Sequence, residues 1–427
     1  MGQANPHGPQ FQVNAYTIDF QLTPQAILDD SGKSVVVWAS RGSDGPDSSG
    51  SSIQGQRFRA PSQALGGQFQ INTYTLSGQY RPNIAADSQG RFVVVWESSG
   101  SNGNDDSARS VQLQRFDSDG TPLGEETQVN TYTLYNQHTP DVTMLPSGSF
   151  LVVWTSSGSG GSDTSGFSIQ GQRFDSSGSR LGSEFQVNSF TTGGQRFPSA
   201  ATNDPGQFVV AWESSASGGS DDSGYSIQAR IFDSDGTPLT DDFQVNSHTV
   251  GAQFRPQVAL DPAGMGVATW HSSSSAGTDS DGWSVQLRQF DSNGIPFGAD
   301  FQVNTYTTGY QYAPALRQDA TGRFVVAWHS MGSSDTDSSY SSIQVRRFDS
   351  TGNPTGDQTQ VNTYTTSYQQ STAVASDARG NFLVGWQSLG SYGTDQDGWS
   401  IQAQLYDDTF RDGFESGDTS RWSAALP

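Results

Sequence analysis

Residues 82–133 read PNIAADSQGRFVVVWESSGSNGNDDSARSVQLQRFDSDGTPLGEETQVNTYT. The segment 91–98 (RFVVVWES) is β-branched and aromatic, which suits a strand covered on both faces. A short strand over 82–87 (PNIAAD) precedes it, and Ser88 to Gly90 form the turn between them. A loop rich in Ser, Gly and Asp leads to a third strand at 110–117 (SVQLQRFD). The turn DSDGTPLGE then leads to a fourth at 127–133 (TQVNTYT). No helical period interrupts the pattern, so the unit is expected to be four antiparallel strands.

The same unit fills the chain on either side. Trp38, Trp96, Trp154, Trp212, Trp270, Trp328 and Trp386 lie 58 residues apart without an insertion. Asn14, Asn72, Asn130, Asn188, Asn246, Asn304 and Asn362 keep the same interval, as does a glycine from Gly32 to Gly380. Seven four-stranded units predict an all-β, seven-bladed β-propeller. The chain opens with a fourth-strand segment, 11–17 (FQVNAYT), and closes with a three-strand set, 372–407, that lacks its own fourth strand. The N-terminal strand is therefore expected to complete the last blade and remove an open edge. This divides the chain into an N-terminal extension at 1–10, the propeller at 11–408 and a tail at 409–427.

Composition narrows the partners. The net charge is −22, from 43 acidic and 21 basic residues, and Lys33 is the only lysine. A phosphate backbone would be repelled, so nucleic acid is excluded as a partner. There is no cysteine, which excludes disulfides and thiolate metal sites. No apolar run approaches the roughly 18 residues of a membrane span. Met1 to Gln10 is polar and lacks a signal-peptide core, so the expectation is that Met1 replaces an export leader.

The repeating residues read mainly as scaffold. The seven Trp belong in the core, with Phe58, Phe116, Phe174, Phe232, Phe290, Phe348 and Tyr406 in the same packing. Gln54, Gln112, Gln170, Gln228, Gln286, Gln344 and Gln402, recurring on a buried strand, are expected to satisfy backbone groups between blades.

The pattern D-x-x-G-x-F-V-V-x-W, then S-I-Q-x-Q-R-F-D-x-x-G-x-P-x-G, then F-Q-V-N-T-Y-T covers residues 11–408. It resembles a repeat of large secreted bacterial proteins, including calcium-dependent adhesins. The resemblance implies a propeller and an exported, extracellular or cell-surface location, and implies no activity. Residues 410–422 (FRDGFESGDTSRW) resemble a short C-terminal segment of exported proteobacterial proteins. The S-x-D-x-G-x-x-W box of sialidases and the motifs of quinone-binding propellers are absent.

Function is expected on the face shared by the strand 2–3 loops and the connections from strand 4 to the next strand 1. Each long loop holds an Asp: Asp47, Asp105, Asp163, Asp221, Asp279, Asp337 and Asp395. In two blades a second acid follows, giving Asp279 with Asp281 and Asp395 with Asp397. Such pairs could hold Ca²⁺, a hard cation that takes oxygen ligands; the competing reading is an Asx-turn that caps backbone amides. Gln21, Gln79, Gln137, Gln195, Gln253, Gln311 and Gln369 either form seven equivalent polar pockets or tie one blade to the next.

Residues that differ between blades are more telling. Phe167, Tyr225, Trp283 and Trp399 follow the loop, where the other blades have Ser51, Arg109 and Ser341. These rings either stack on sugars or cover the loop base. Of the five histidines, only His271 and His329 share a repeat position, just after the core Trp, and no Ser-His-Asp constellation can be assigned. The resulting expectation is a non-catalytic secreted or surface module that binds a glycan or surface partner multivalently. A self-assembling extracellular protein and a carbohydrate-active enzyme are the alternatives. An enzyme should show one blade whose channel-facing polar residues break the repeat.

Overall fold

The computed structural model describes residues 5–407 except 44, 48, 102, 106, 159, 160, 217, 334, 338 and 392. The tail at 409–427 lies outside the described residues. Seven antiparallel sheets follow one another along the chain, each ordered from the first strand to the fourth. The first strands touch in succession, and the last, Gln369–Ser376, meets the first, Gln21–Leu28, so the ring is closed around a central channel.

The second strand explains why a ring forms. Its side chains alternate between two different cores. In blade 1, Val36 and Trp38 pack with Leu383, Ile401 and Leu405 of blade 7. Val35, Val37 and Ala39 pack with Ile84, Phe92, Val94 and Trp96 of blade 2. Each core is thus shared by two blades, and no blade can bury its own apolar residues alone. All seven Trp are at most 1% exposed, as expected of core residues.

Turn chemistry sets the narrow face. Asp87 Oδ1 accepts the amides of Gln89 and Arg91, both at 2.9 Å, and Gly90 takes φ +75° to close the turn.

Two local readings change. The fourth strand is shorter than 127–133: only Thr127–Gln128 pairs as a strand. After Val129 donates to Val111 O, the side chain of Asn130 takes over, and its Oδ1 accepts the Val111 amide at 2.9 Å. The Gln54 column satisfies side chains of its own blade rather than backbone between blades: Gln54 Nε2 donates to Ser52 Oγ at 2.8 Å and Ser43 Oγ at 3.3 Å.

The expected closure is present. Phe11–Gln12 pairs with Gln402 and Ala403 of the last blade, and Asn5–Pro6, within the segment read as an extension, pairs with Tyr406 and Asp407. Asn14 then bridges Ile401 N at 2.8 Å and Asp395 Oδ2 at 2.7 Å. Deleting residues 1–17 should expose the edge of Trp399–Asp407, lower the melting temperature and promote aggregation measurable by light scattering. An unchanged melt with a monodisperse product would show that this strand does not hold the ring.

Candidate active site at the channel mouth

The repeated polar residues of the loop-rich face are spent on the scaffold. Asp105 Oδ2 accepts Asn130 Nδ2 at 2.8 Å, and Oδ1 accepts the Ser107 amide at 3.3 Å. The same Asp–Asn contact recurs in every blade. Asp279 follows it, accepting from Asn304 at 2.7 Å and from Asp281 N at 3.2 Å, while Asp281 Oδ2 accepts Gly309 N at 3.1 Å. Asp395 bonds Asn14 and the Asp397 amide in the same way, and Asp397 Oδ2 takes the Asp19 amide at 3.4 Å. Burial raises Asp395 to about 6. Among the described residues, no group of three or more His, Asp or Glu side chains is placed to hold a metal. The Gln21 column is buried in all seven blades and forms no open pockets; Gln137, for example, accepts Ser156 Oγ at 2.6 Å and donates to Leu134 O at 2.9 Å.

What remains is a set of positions at which blades differ. Each innermost strand breaks register two residues after its buried Gln. The residue at the break takes a left-handed φ of 49–55° in every blade: Thr23, Arg81, Thr139, Phe197, Arg255, Ala313 and Ser371. None is Gly, so each blade maintains a strained bulge, a device that re-aims side chains beside functional sites. In five blades the bulge amide is held by the residue after the core Trp of the preceding blade. Glu97 Oε2 accepts Thr139 N at 3.1 Å, Thr155 Oγ1 accepts Phe197 N at 3.1 Å, Glu213 Oε2 accepts Arg255 N at 2.9 Å, and Gln387 Oε1 accepts Thr23 N at 2.9 Å. His271 Nδ1 accepts Ala313 N at 3.4 Å, which leaves the proton of a neutral ring on Nε2.

These variable residues converge where the channel opens on the loop-rich face. A cavity of about 370 Å³ is lined by Arg196, Phe197, Glu213, Tyr225, Phe254, Arg255, His271, Trp283 and Tyr312. Trp283 stacks on His271 at 5.0 Å, and Tyr225 tilts against Phe254 at 5.3 Å. Of the four rings expected to bind ligand, Tyr225 and Trp283 therefore line one cavity. Phe167 lies under Arg196, whose guanidinium carbon is 4.1 Å from the ring centroid. Trp399 stands apart, against Tyr368 and its partner Tyr340. All four are half-buried.

Electrostatics single out Glu213. It is 4% exposed, and burial raises it to about 7 against the opposing influence of the Arg255 amide and the Arg255 and Arg196 guanidiniums. Burial and neighbouring arginines lower His138 to about 4, while burial, Arg255 and His329 lower His271 to about 3. The imidazoles are therefore neutral at pH 7. Deeper in the channel, Asp141 is raised to about 6 by burial and accepts Ala200 N at 2.7 Å and Val142 N at 2.9 Å. On the opposite face a basin of about 740 Å³ is lined by turn residues such as Asp29, Asp87 and Asp377, whose carboxylates cap their own turns.

No family model and no curated protein matches this chain. Solved structures share its fold. A Dyadobacter fermentans protein of unknown function is 9% identical with a TM-score of 0.53, over 94% of this chain and 98% of its own. An ulvan lyase of polysaccharide lyase family PL25 is 10% identical with a TM-score of 0.53, over 93% and 95%. A Penicillium chrysogenum α-L-arabinanase is 14% identical with a TM-score of 0.51, over 82% and 99%. At these identities the likeness is one of fold.

The expectation of a non-catalytic protein is corrected here. Proteins with this fold include carbohydrate-active enzymes, and the channel-facing residues break the repeat in several blades rather than in one. Glu213, Arg81, Arg196, Arg255 and Tyr312 were missed because comparison of blades stopped at the column of Phe167 and Trp283. Applied to the columns of Leu22, Thr23 and Ala39, the same comparison would have found them.

Burial of Glu213 also fixes a pH dependence. Its folded value lies above the ordinary 4.5, so its stabilising contribution is full below that value and is lost as pH rises through about 7. Glu213→Gln should therefore raise the melting temperature, relative to wild type, more at pH 8 than at pH 5. An equal offset at both pH values in thermal melts would rule out a raised Glu213.

Proposed function

We propose that the protein is a carbohydrate-active enzyme whose active site is the cavity at the mouth between blades 4, 5 and 6. The observation that carries this reading is Glu213, poised at about 7 in a cavity walled by aromatic rings and arginines. A carboxyl group titrating near the working pH is suited to proton transfer. In its protonated form Glu213 would give its proton to the leaving glycosidic oxygen as the C–O bond breaks, while a water molecule adds to the anomeric carbon and releases a proton in turn, so that one water is consumed per bond cleaved. Trp283, Tyr225 and Phe254 would stack on the sugar rings, and the neutral His271 and Tyr312 would supply hydrogen-bond donors. The mouth differs from blade to blade, which supports one composite site rather than seven equal ones.

Release of reducing ends from a panel of polysaccharides tests this. Glu213→Gln should lower kcat by roughly 10²–10⁴-fold while the protein stays folded, and wild-type activity should fall above about pH 7. Trp283→Ala should raise KM more than it lowers kcat. Wild-type turnover by Glu213→Gln would exclude the assignment.

A further inference from the structure

We propose that the glycan bound at the mouth is polyanionic, carrying uronate carboxylates or sulfate esters that are held by Arg81, Arg196 and Arg255, with Arg109 beside them. This rests on the reading of the mouth as a carbohydrate site and names the class of substrate.

Several arginines of this protein bind backbone of a neighbouring blade. Arg230, Arg288 and Arg346 donate to Val187 O, Val245 O and Val303 O of the preceding blade, at 2.7–2.9 Å. Arg115 and Arg173 donate likewise to Ser176 O and Ser234 O of the next blade. These tie the ring together. The mouth arginines do none of this. Among the described residues, the Arg196 and Arg255 guanidiniums donate no hydrogen bond and form no ion pair, and Arg196 Nε is buried without a partner. The guanidinium carbon of Arg255 lies 5.0 Å from the Phe197 ring centroid and that of Arg196 4.1 Å from the Phe167 centroid, cation–π contacts that consume no hydrogen-bond donor.

The charges also fail to balance. Glu97 meets Arg109 at 2.6 Å and Arg81 at 3.8 Å, and burial favours the neutral form of Glu213. Four guanidiniums thus face two carboxyl groups. They feel one another: Arg81 depresses Arg255, after burial, and Arg81, Arg109 and Arg196 together depress His138. In a chain of net charge −22, a local cationic focus of mutually repelling groups is costly unless an anion relieves it. Planar forks with free edges suit bidentate carboxylate or sulfate.

The test is calorimetric titration of the intact chain carrying Glu213→Gln, so that no turnover occurs, alongside wild type. The probes are a glucuronate-containing hexasaccharide, its carboxyl-reduced neutral form, a sulfated galactan hexasaccharide and its desulfated form. Charged probes should bind at least about tenfold tighter than their neutral forms, and binding should weaken between 50 and 500 mM salt as charges are screened. Arg196→Gln and Arg255→Gln should each lose roughly tenfold, and Arg→Lys less, with Arg81→Gln as an exposed variant that spares the packing. Whichever charged probe prevails identifies carboxylate or sulfate as the source of the anion. Equal affinity for charged and neutral forms, or unchanged affinity in the arginine variants while the melt is intact, overturns the proposal. Arginine-dependent binding without cleavage by wild type would sustain it and defeat the enzymatic reading; Glu213-dependent cleavage of the neutral probe alone would do the reverse.

Discussion

Everything in this molecule depends on the second strand of each blade having no core of its own. Because Val36 and Trp38 face one neighbour while Val35 and Val37 face the other, every sheet is half of two interfaces. An open row of such sheets would leave apolar surface at both ends. Closure is therefore a requirement of burial, and the N-terminal strand supplies the last hydrogen bonds by pairing with Gln402 and Ala403. The rigid ring that results can hold a strained bulge in every blade at the same place.

That bulge connects scaffold to site. It turns the chain so that one residue per blade sits at the channel opening, and it leaves an amide that the preceding blade can receive. Five blades receive it with Glu, Thr, His or Gln. The choice of acceptor places a titratable group at the mouth in the same stroke. Glu213 is both the clamp on Arg255 and a buried acid, so its raised proton affinity follows from a structural task done in a dry location.

The architecture was legible because its causes repeat. A Trp every 58 residues, a D-x-x-G turn and an offset at the two ends leave few ways to fold. Where a side chain replaced backbone, the reading overreached: TQVNTYT alternates like a strand, yet Asn130 ends the pairing after Val129. The loop Asp column does cap local amides, and the Asn130 partner to Asp105 was hidden because it comes from another strand. The site was only half legible. Trp283 and Tyr225 stood out as variable rings, but the bulge that brings Arg255 beside Glu213 leaves no mark on its own residue, since Thr, Arg, Phe, Ala and Ser all occupy it; its mark is the proline that follows in six blades, from Pro24 to Pro314.

The indifference of the bulge to its occupant has a historical consequence. Blade 1 offers Ala39 in place of an acceptor, blade 6 offers His329, whose ring nitrogens meet no hydrogen-bond partner among the described residues, and the ring tolerates both. Copies of one unbroken length can be exchanged, duplicated or reshuffled in frame at the level of the gene, and each arrives with its mouth residues attached. Such a chain inherits its shape as a constant and its chemistry as a reassortable alphabet. Exchanging one 58-residue copy for another would change the mouth residues while keeping the length and phase of the repeat.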